Sequence, residues 1–286
     1  MLQEKAGHGM TTKAERIAQK KQHFSEMMSF DVQYRKDFRY IAGVDEVGRG
    51  PLAGPVVTAA VVLPEDFDVF EINDSKKLTD KKRRELDVLI REKALAYGFG
   101  QRDNRRIDEI NILNATKEAM GDAVRNAAEM LRERLSGGAA ADGQAGQPSE
   151  AMQEQAARQE SMDLPGNPDA LAAMEEAADR RMEAENAAAF SPISLVMIDA
   201  VHLTELEEAG IHQISPTKGD FKSASIAAAS IIAKVRRDDM MIACSQQYPG
   251  YAFEKNKGYG TKAHYEGLRE HGLTPIHRKS FLKNFL

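Results

Sequence analysis

Of four carboxylates that could act together, three stand where a carboxylate is hard to place. Asp45 and Glu46 end a strand-like apolar run and precede a glycine-rich turn, Asp199 closes the apolar run Leu195–Ile198, and Asp220 sits just before a long helical stretch. An acid at the end of an apolar strand needs a cation, a hydrogen-bond network or water, because an unpaired buried charge is costly. One such residue reads as a solvated strand end, and Asp220 alone as a helix cap. Four at the edges of one sheet point instead to an oxygen-rich site for Mg2+ or Mn2+. A single cysteine, Cys244, and seven histidines without metal-ligand spacing offer no sulfur or imidazole cage. Carboxylates without a strong internal nucleophile suit attack by water on a phosphodiester, aided by two ions about 3.5–4 Å apart. Adjacent strand residues point to opposite faces, so Asp45 and Glu46 share an ion only if the strand bends or one lends a backbone carbonyl. The glycines that follow favour the bend.

Those glycines form the turn Gly48-Arg49-Gly50-Pro51, two residues without Cβ around one arginine, which lets backbone approach a ligand closely. No Gly-Lys-Ser/Thr follows, so the turn is not a nucleotide phosphate loop. The elements that must hold it are two strands, 40–45 and 56–63, joined by the turn. Thr79 caps a helix predicted to run to about Tyr97 before Gly98, with a short strand near 99–102. Leu113, Thr116, Met120, Val124, Ala127 and Leu131 line one face of a second helix. A strand over 195–199 and a short one over 212–214 precede a long helix from about Phe221, with Ile226, Ser230, Ala233, Arg237 and Met240 on one stripe. Cys244 reads as a small hydrophobe of that helix. The C-terminal Phe281, Leu282, Phe285 and Leu286 recur at the spacing of a terminal helix docked on the core. This order describes an α/β layer fold with a mixed sheet.

Composition sets the outer limits. With 286 residues, 42% hydrophobic and 29% charged, the chain can bury one good core. The longest apolar stretch, 53–63, falls short of the roughly 20 residues of a membrane-spanning helix, and the Met1 end begins polar, without the pattern of a secretory leader. A soluble, cytoplasmic monomer with no membrane partner is the expectation. Net charge is −5, which taken as an average disfavours nucleic acid. The average hides a division: residues 136–190 carry eleven Asp or Glu against three Arg, with 16 Ala, whereas residues 250–286 carry seven Lys or Arg against three Glu. The first reads as a low-complexity, Ala/Glu-rich insertion and the second as a basic surface. Residues 1–39 read as a helical extension, and 40–286 as a catalytic domain interrupted by 136–190.

The stretch Gly43-Val44-Asp45-Glu46-Val47-Gly48-Arg49-Gly50-Pro51-Leu52-Ala53-Gly54-Pro55 closely resembles the opening motif of the ribonuclease HII family. Further matches follow in the family's order: Asn73-Asp74-Ser75-Lys76-Lys77-Leu78, 107–116, Ile198-Asp199, Lys218-Gly219-Asp220, 227–238 and Lys257-Gly258-Tyr259-Gly260-Thr261. The resemblance implies a ribonuclease H-like fold, with a five-stranded mixed sheet flanked by helices. It implies an endonuclease that hydrolyses the RNA strand of RNA–DNA hybrids, leaves 5′-phosphates, and incises 5′ of single ribonucleotides embedded in DNA. It makes Asp45, Glu46, Asp199 and Asp220 the catalytic quartet that holds two Mn2+ or Mg2+ ions. It makes Gly48, Arg49 and Gly50 the sensor of the ribose 2′-hydroxyl, the group that distinguishes RNA from DNA. Tyr259 then stacks on the neighbouring sugar, and Ser75 and Lys76 contact phosphate. The related HIII branch usually carries Gly-Lys-Gly and a substantial N-terminal domain, so the arginine and the short extension favour HII. The alternatives are an HIII-like or other carboxylate-metal nuclease and a hybrid-binding protein without activity; a replication or repair partner is a further possibility.

Overall fold

The structure is a computed structural model that describes residues 12–72, 75, 78–139, 187–199, 201–283 and 285. Most of the 136–190 segment, Lys76, Ala200 and Leu286 lie outside these residues. The first strand, β1 (Ile41–Val47), pairs antiparallel with β2 (Val56–Val62), which pairs antiparallel with β3 (Ala96–Arg102). On its other side β1 runs parallel to β4 (Leu195–Ile198), and β4 to β5 (His212–Ile214). The five strands therefore lie in the order β3-β2-β1-β4-β5, a mixed sheet as the sequence implies. β2, Val-Val-Thr-Ala-Ala-Val-Val, is buried at every position, because helices cover both faces of the sheet.

Alternation along the strands divides the core in two. Ala42, Val44, Ala60, Val62, Val196 and Ile198 pack against Met120, Val124, Ala127 and Leu131 of α3 (Asn104–Ala139). Ala59 and Val61 face α2 (Asp80–Lys93) through Leu86 and Ile90, and the long α6 (Ala224–Gln247) through Ala227, Ala228, Ile231 and Ile232. Met27 of α1 (Lys13–Val32) closes that second cluster, and the buried carboxylate of Asp31 accepts the Ser225 amide and hydroxyl, each at 2.8 Å. The small residues at the start of α6 let it lie almost on β1. A Cβ on Gly43 would come within 2.2 Å of the Ser225 carbonyl carbon, so only glycine permits the approach.

Several boundaries differ from the sequence expectation, each for a tertiary reason. α2 stops at Lys93 rather than near Tyr97, because Leu95 donates its amide to the Val62 carbonyl at 2.8 Å and the chain joins the sheet from Ala96. Leu113 is 44% exposed; α3 kinks at Asn111, and its buried side runs through Ile107, Ala115 and Thr116 instead. After the short helix α4 (Thr204–Glu208), a short turn, α5 (Gly219–Lys222), precedes α6, whose N-cap is Ser223. The C-terminus forms a 3-10 turn over Lys279–Phe281 instead of an α-helix, and the Asp108 carboxylate caps the start of that turn by accepting the amides of Lys279 and Ser280. Leu282 is nevertheless buried and Phe281 and Phe285 pack beside it, so the segment docks on the core as expected. Cys244 is half-buried in the same cluster.

Candidate active site

The parallel pairing of β1 and β4 ends at Val44 and Ile198, so the next residues, Asp45 and Asp199, emerge side by side at the strands' carboxyl ends. β1 itself shows no bend there. Its pairing with β2 continues without a bulge through Asp45↔Ala59, Glu46↔Thr58 and Val47↔Val57. The expected distortion is therefore absent, and Asp45 and Glu46 meet for a different reason. Because β4 stops at Ile198, no strand screens the open side of β1 beyond Val44, and both side chains reach one pocket off the sheet's end. Asp220 joins from α5, where Gly219 lies so close to Asp199 that an added Cβ would sit 3.3 Å from that residue's own Cβ.

One pocket is lined by Asp45, Glu46, Val47, Arg49, Ser75, Asp199, Asp220, Ser230, Lys234 and Tyr259. All four predicted acids thus face one space. Burial, then the neighbouring charges of Glu46 and Asp220, push the Asp45 carboxyl up to about 8, against a hydrogen bond from the Ser230 hydroxyl. Burial also raises Glu46, with Asp199 adding to the effect and Arg49 opposing it through a 3.2 Å ion pair. The cations at hand are few: Arg49 is spread over Glu46, and Lys234 is bound to Asp238 at 2.6 Å. An all-oxygen donor set whose charge exceeds its cations, and which already takes up protons, fits a hard divalent ion. Among the described residues no three His, Cys, Asp or Glu side chains already stand in joint reach of one ion, so the carboxylates line the space rather than close on a point.

The remaining predicted residues divide. Tyr259, 43% exposed, stands against the glycine turn: a Cβ on Gly50 would touch its ring at 3.7 Å. Ser75 lines the pocket, but it is buried and its hydroxyl lies 2.9 Å from that of Ser230. Ser230 in turn bonds to the Asp45 carboxyl, so the two hydroxyls make a short relay beneath the acid. Lys76 lies outside the described residues. Sequence reasoning did not assign Ser230 or Lys234 to the site, although they stand four residues apart on the helical stripe that faces it.

Two further residues were given no role by sequence reasoning. Arg237 and Arg278 are fully buried, yet their bonds go to backbone carbonyls. Arg237 donates to Pro55, Lys257 and Ala53 at 2.9, 3.0 and 3.2 Å. Arg278 donates to Gly48, Arg49 and Gly54 at 2.6, 2.9 and 2.8 Å. Burial and the charge of Arg237 push Arg278 down to about 9, which leaves it a cation at neutral pH.

Comparison with known proteins gives a consistent result. A family model described as Ribonuclease HII matches residues 42–151 and 150–284. A relative named Ribonuclease HII from Ligilactobacillus salivarius (strain UCC118) is 44% identical over 246 residues, 86% of this chain and 71% of that protein. One of the same name from Bacillus anthracis (strain A0248) is 42% identical over 271 residues, 94% of this chain and 80% of that protein. The solved structure of the PCNA:RNase HII complex from Archaeoglobus fulgidus is similar with a TM-score of 0.52 at 20% identity, covering 84% of this chain and 93% of that one. Likeness at that identity speaks to the fold, which is the ribonuclease H-like fold that the sequence implies.

Proposed function

The chain belongs to the ribonuclease HII family, whose members hydrolyse the RNA strand of RNA–DNA hybrids, and on that premise we propose that Asp45, Glu46, Asp199 and Asp220 hold the divalent ions that hydrolysis requires. The observation that supports this most is the meeting of four acids, the Gly48–Gly50 turn and Tyr259 around one pocket. The chemistry supplied by Mg2+ or Mn2+ bound there, two ions in this reading, is activation of water and neutralisation of charge on the leaving oxygen. The protein's own residues do the rest. Ser230 fixes the rotamer of Asp45, with Ser75 behind it, and Arg49 orients Glu46. Lys234 stands at the wall as a cation for a phosphate, and the glycine turn brings backbone donors to the ribose 2′-hydroxyl. Tyr259 offers a ring face for the adjoining sugar.

The substrates are RNA–DNA hybrids and DNA duplexes carrying a single ribonucleotide, incised on its 5′ side. In this reading the protein acts as a monomer in the cytoplasm; among the described residues no helix is long and apolar enough to cross a membrane. Phe281, Leu282 and Phe285, which could have formed a partner-binding peptide, are used in packing. The test is a labelled DNA duplex with one ribonucleotide, incubated with Mg2+ or Mn2+ and in parallel with a chelator. Metal-dependent incision 5′ of the ribonucleotide is expected, and Asp199→Asn should slow it by about a hundredfold or more while the duplex still binds. Cleavage of a long hybrid without incision at the single ribonucleotide would refute the HII reading in favour of an HIII-like one.

A further inference from the structure

We propose that Arg278 is a positioning residue for ribose recognition: by gripping the carbonyls of Gly48, Arg49 and Gly54 it fixes the glycine turn relative to Tyr259, and selectivity for a ribonucleotide depends on it. The inference rests on the reading of the turn as the ribose sensor.

A fully buried guanidinium is costly unless every donor finds an acceptor, and here carbonyl dipoles serve that purpose. Nε and Nη2 of Arg278 both donate to Gly54, at 2.9 and 2.8 Å, Nη2 reaches Gly48 as well, and Nη1 takes Arg49. The planar fork thus binds three carbonyls in one rigid geometry, which an ammonium on a flexible stem cannot do. The consequence lies on the other side of the peptide. In a planar trans peptide the carbonyl of one residue and the amide of the next point in opposite directions. With the Gly48 and Arg49 carbonyls turned onto Arg278, the amides of Arg49 and Gly50 are aimed away from it, at fixed angles.

The strap that carries Arg278 is anchored at both ends. Asn104 at the start of α3 donates to the Pro275 and His277 carbonyls, each at 3.0 Å, and Asp108 holds the amides of Lys279 and Ser280. Between the anchors the strap pairs with the loop itself: Gly54 donates to Ile276 at 2.9 Å and Arg278 to Leu52 at 2.8 Å. The preceding residue reaches the other half of the sensor. The Tyr259 carbonyl can only accept, so His264 Nδ1 at 2.9 Å carries the proton and its Nε2 is bare. That bare nitrogen accepts from His277 Nε2 at 3.0 Å, while His277 Nδ1 accepts the Thr274 amide at 2.8 Å. Two consecutive residues, His277 and Arg278, therefore tie Tyr259 and the glycine turn to one rigid segment.

The test measures selectivity rather than activity. In an Asp199→Asn background, which prevents turnover, equilibrium binding is compared for a DNA duplex with one ribonucleotide and the all-DNA duplex of the same sequence. Arg278→Lys, which keeps the charge, should lower the ratio of the two affinities by about tenfold, with all-DNA binding nearly unchanged. Asn104→Ala, which loosens the strap and leaves Arg278 in place, should lower it about two- to fivefold. Circular dichroism melts confirm folding. A background protein with no preference for the ribonucleotide would refute the reading of the site itself. A preference that survives Arg278→Lys intact would overturn this inference, as would an unchanged ratio in Asn104→Ala where the lysine variant does not fold.

Discussion

Binding of a divalent ion at this pocket should expel about one proton at pH 7. The perturbed group is Asp45, held up to about 8 by burial and by Glu46 and Asp220. A carboxyl with that value is about nine-tenths protonated at pH 7 and about one-tenth protonated at pH 9. A carboxylate ligand must be ionised, so ion binding releases about 0.9 proton from Asp45 at pH 7, with a further contribution from the raised Glu46, and about 0.1 at pH 9. Apparent affinity should accordingly rise about tenfold per pH unit up to about pH 8 and then flatten. The folded-state value is raised from 3.8, so stability of the metal-free protein is fully present below about pH 4, falls progressively as pH rises toward about 8, and falls no further beyond it. Divalent ions should restore it. Calorimetric titration of Mn2+ in two buffers of different ionisation enthalpy reads the proton count directly from the difference in heat. A buffer-independent heat at pH 7 would refute the argument, as would an Asp45→Asn variant that binds the ion and still releases the same proton.

Two other predictions concern the scaffold of the sensor. Gly48 has φ +95°, and a Cβ there would fall 2.1 Å from Arg237 Nε, so Gly48→Ala should cost about 1–3 kcal/mol in a denaturant melt; a change below about 0.5 kcal/mol would remove Arg237 as a constraint on the turn. Burial, and then His264, hold His277 down to about 4, and burial lowers His264 as well. The unfolded chain binds these protons near pH 6.5 and the folded one does not, so stability should be present above that value and fall as pH drops toward about 4. Thermal midpoints of His277→Gln and the parent, compared from pH 7 to pH 4.5, should converge at the acid end; parallel curves would contradict the neutral His264–His277 pair.

Much of the layer order was legible because burial writes itself into side-chain type. β2 is apolar at nearly every position because helices cover both faces, and β4 is a short apolar run because it lies between β1 and β5. What periodicity cannot see is which of two satisfactory backbone states the surroundings will select. Residues 94–97 can extend a helix, yet Leu95 gains more from the Val62 carbonyl once β2 is in place. The apolar spacing at 281–286 fits a helix, and the segment is apolar because it packs. Its place is fixed by Asp108, some 170 residues earlier, which caps the first amides of the turn.

The same distinction separates the legible part of the site from the part that was hidden. An acid at the end of an apolar strand is conspicuous because the residue type itself clashes with its surroundings; Asp45, Glu46 and Asp199 stood out that way, and Asp220 was grouped with them. Arg237 stood on a predicted buried stripe and Arg278 in a basic tail, but, Lys257 apart, their acceptors are backbone carbonyls from about 180 to 230 residues away. Every residue has a carbonyl, so such a partner leaves no mark on the sequence. The trace it does leave is indirect: an arginine on a helix stripe that is otherwise small and apolar has to be satisfied by something, and a loop with glycine at 48, 50 and 54 is one whose carbonyls can turn inward. Gly48 and Arg237 therefore specify one another. The glycine is needed as much for the arginine that lies against it as for the substrate on the far side, and recognition of a single hydroxyl depends on charge placed where no substrate reaches.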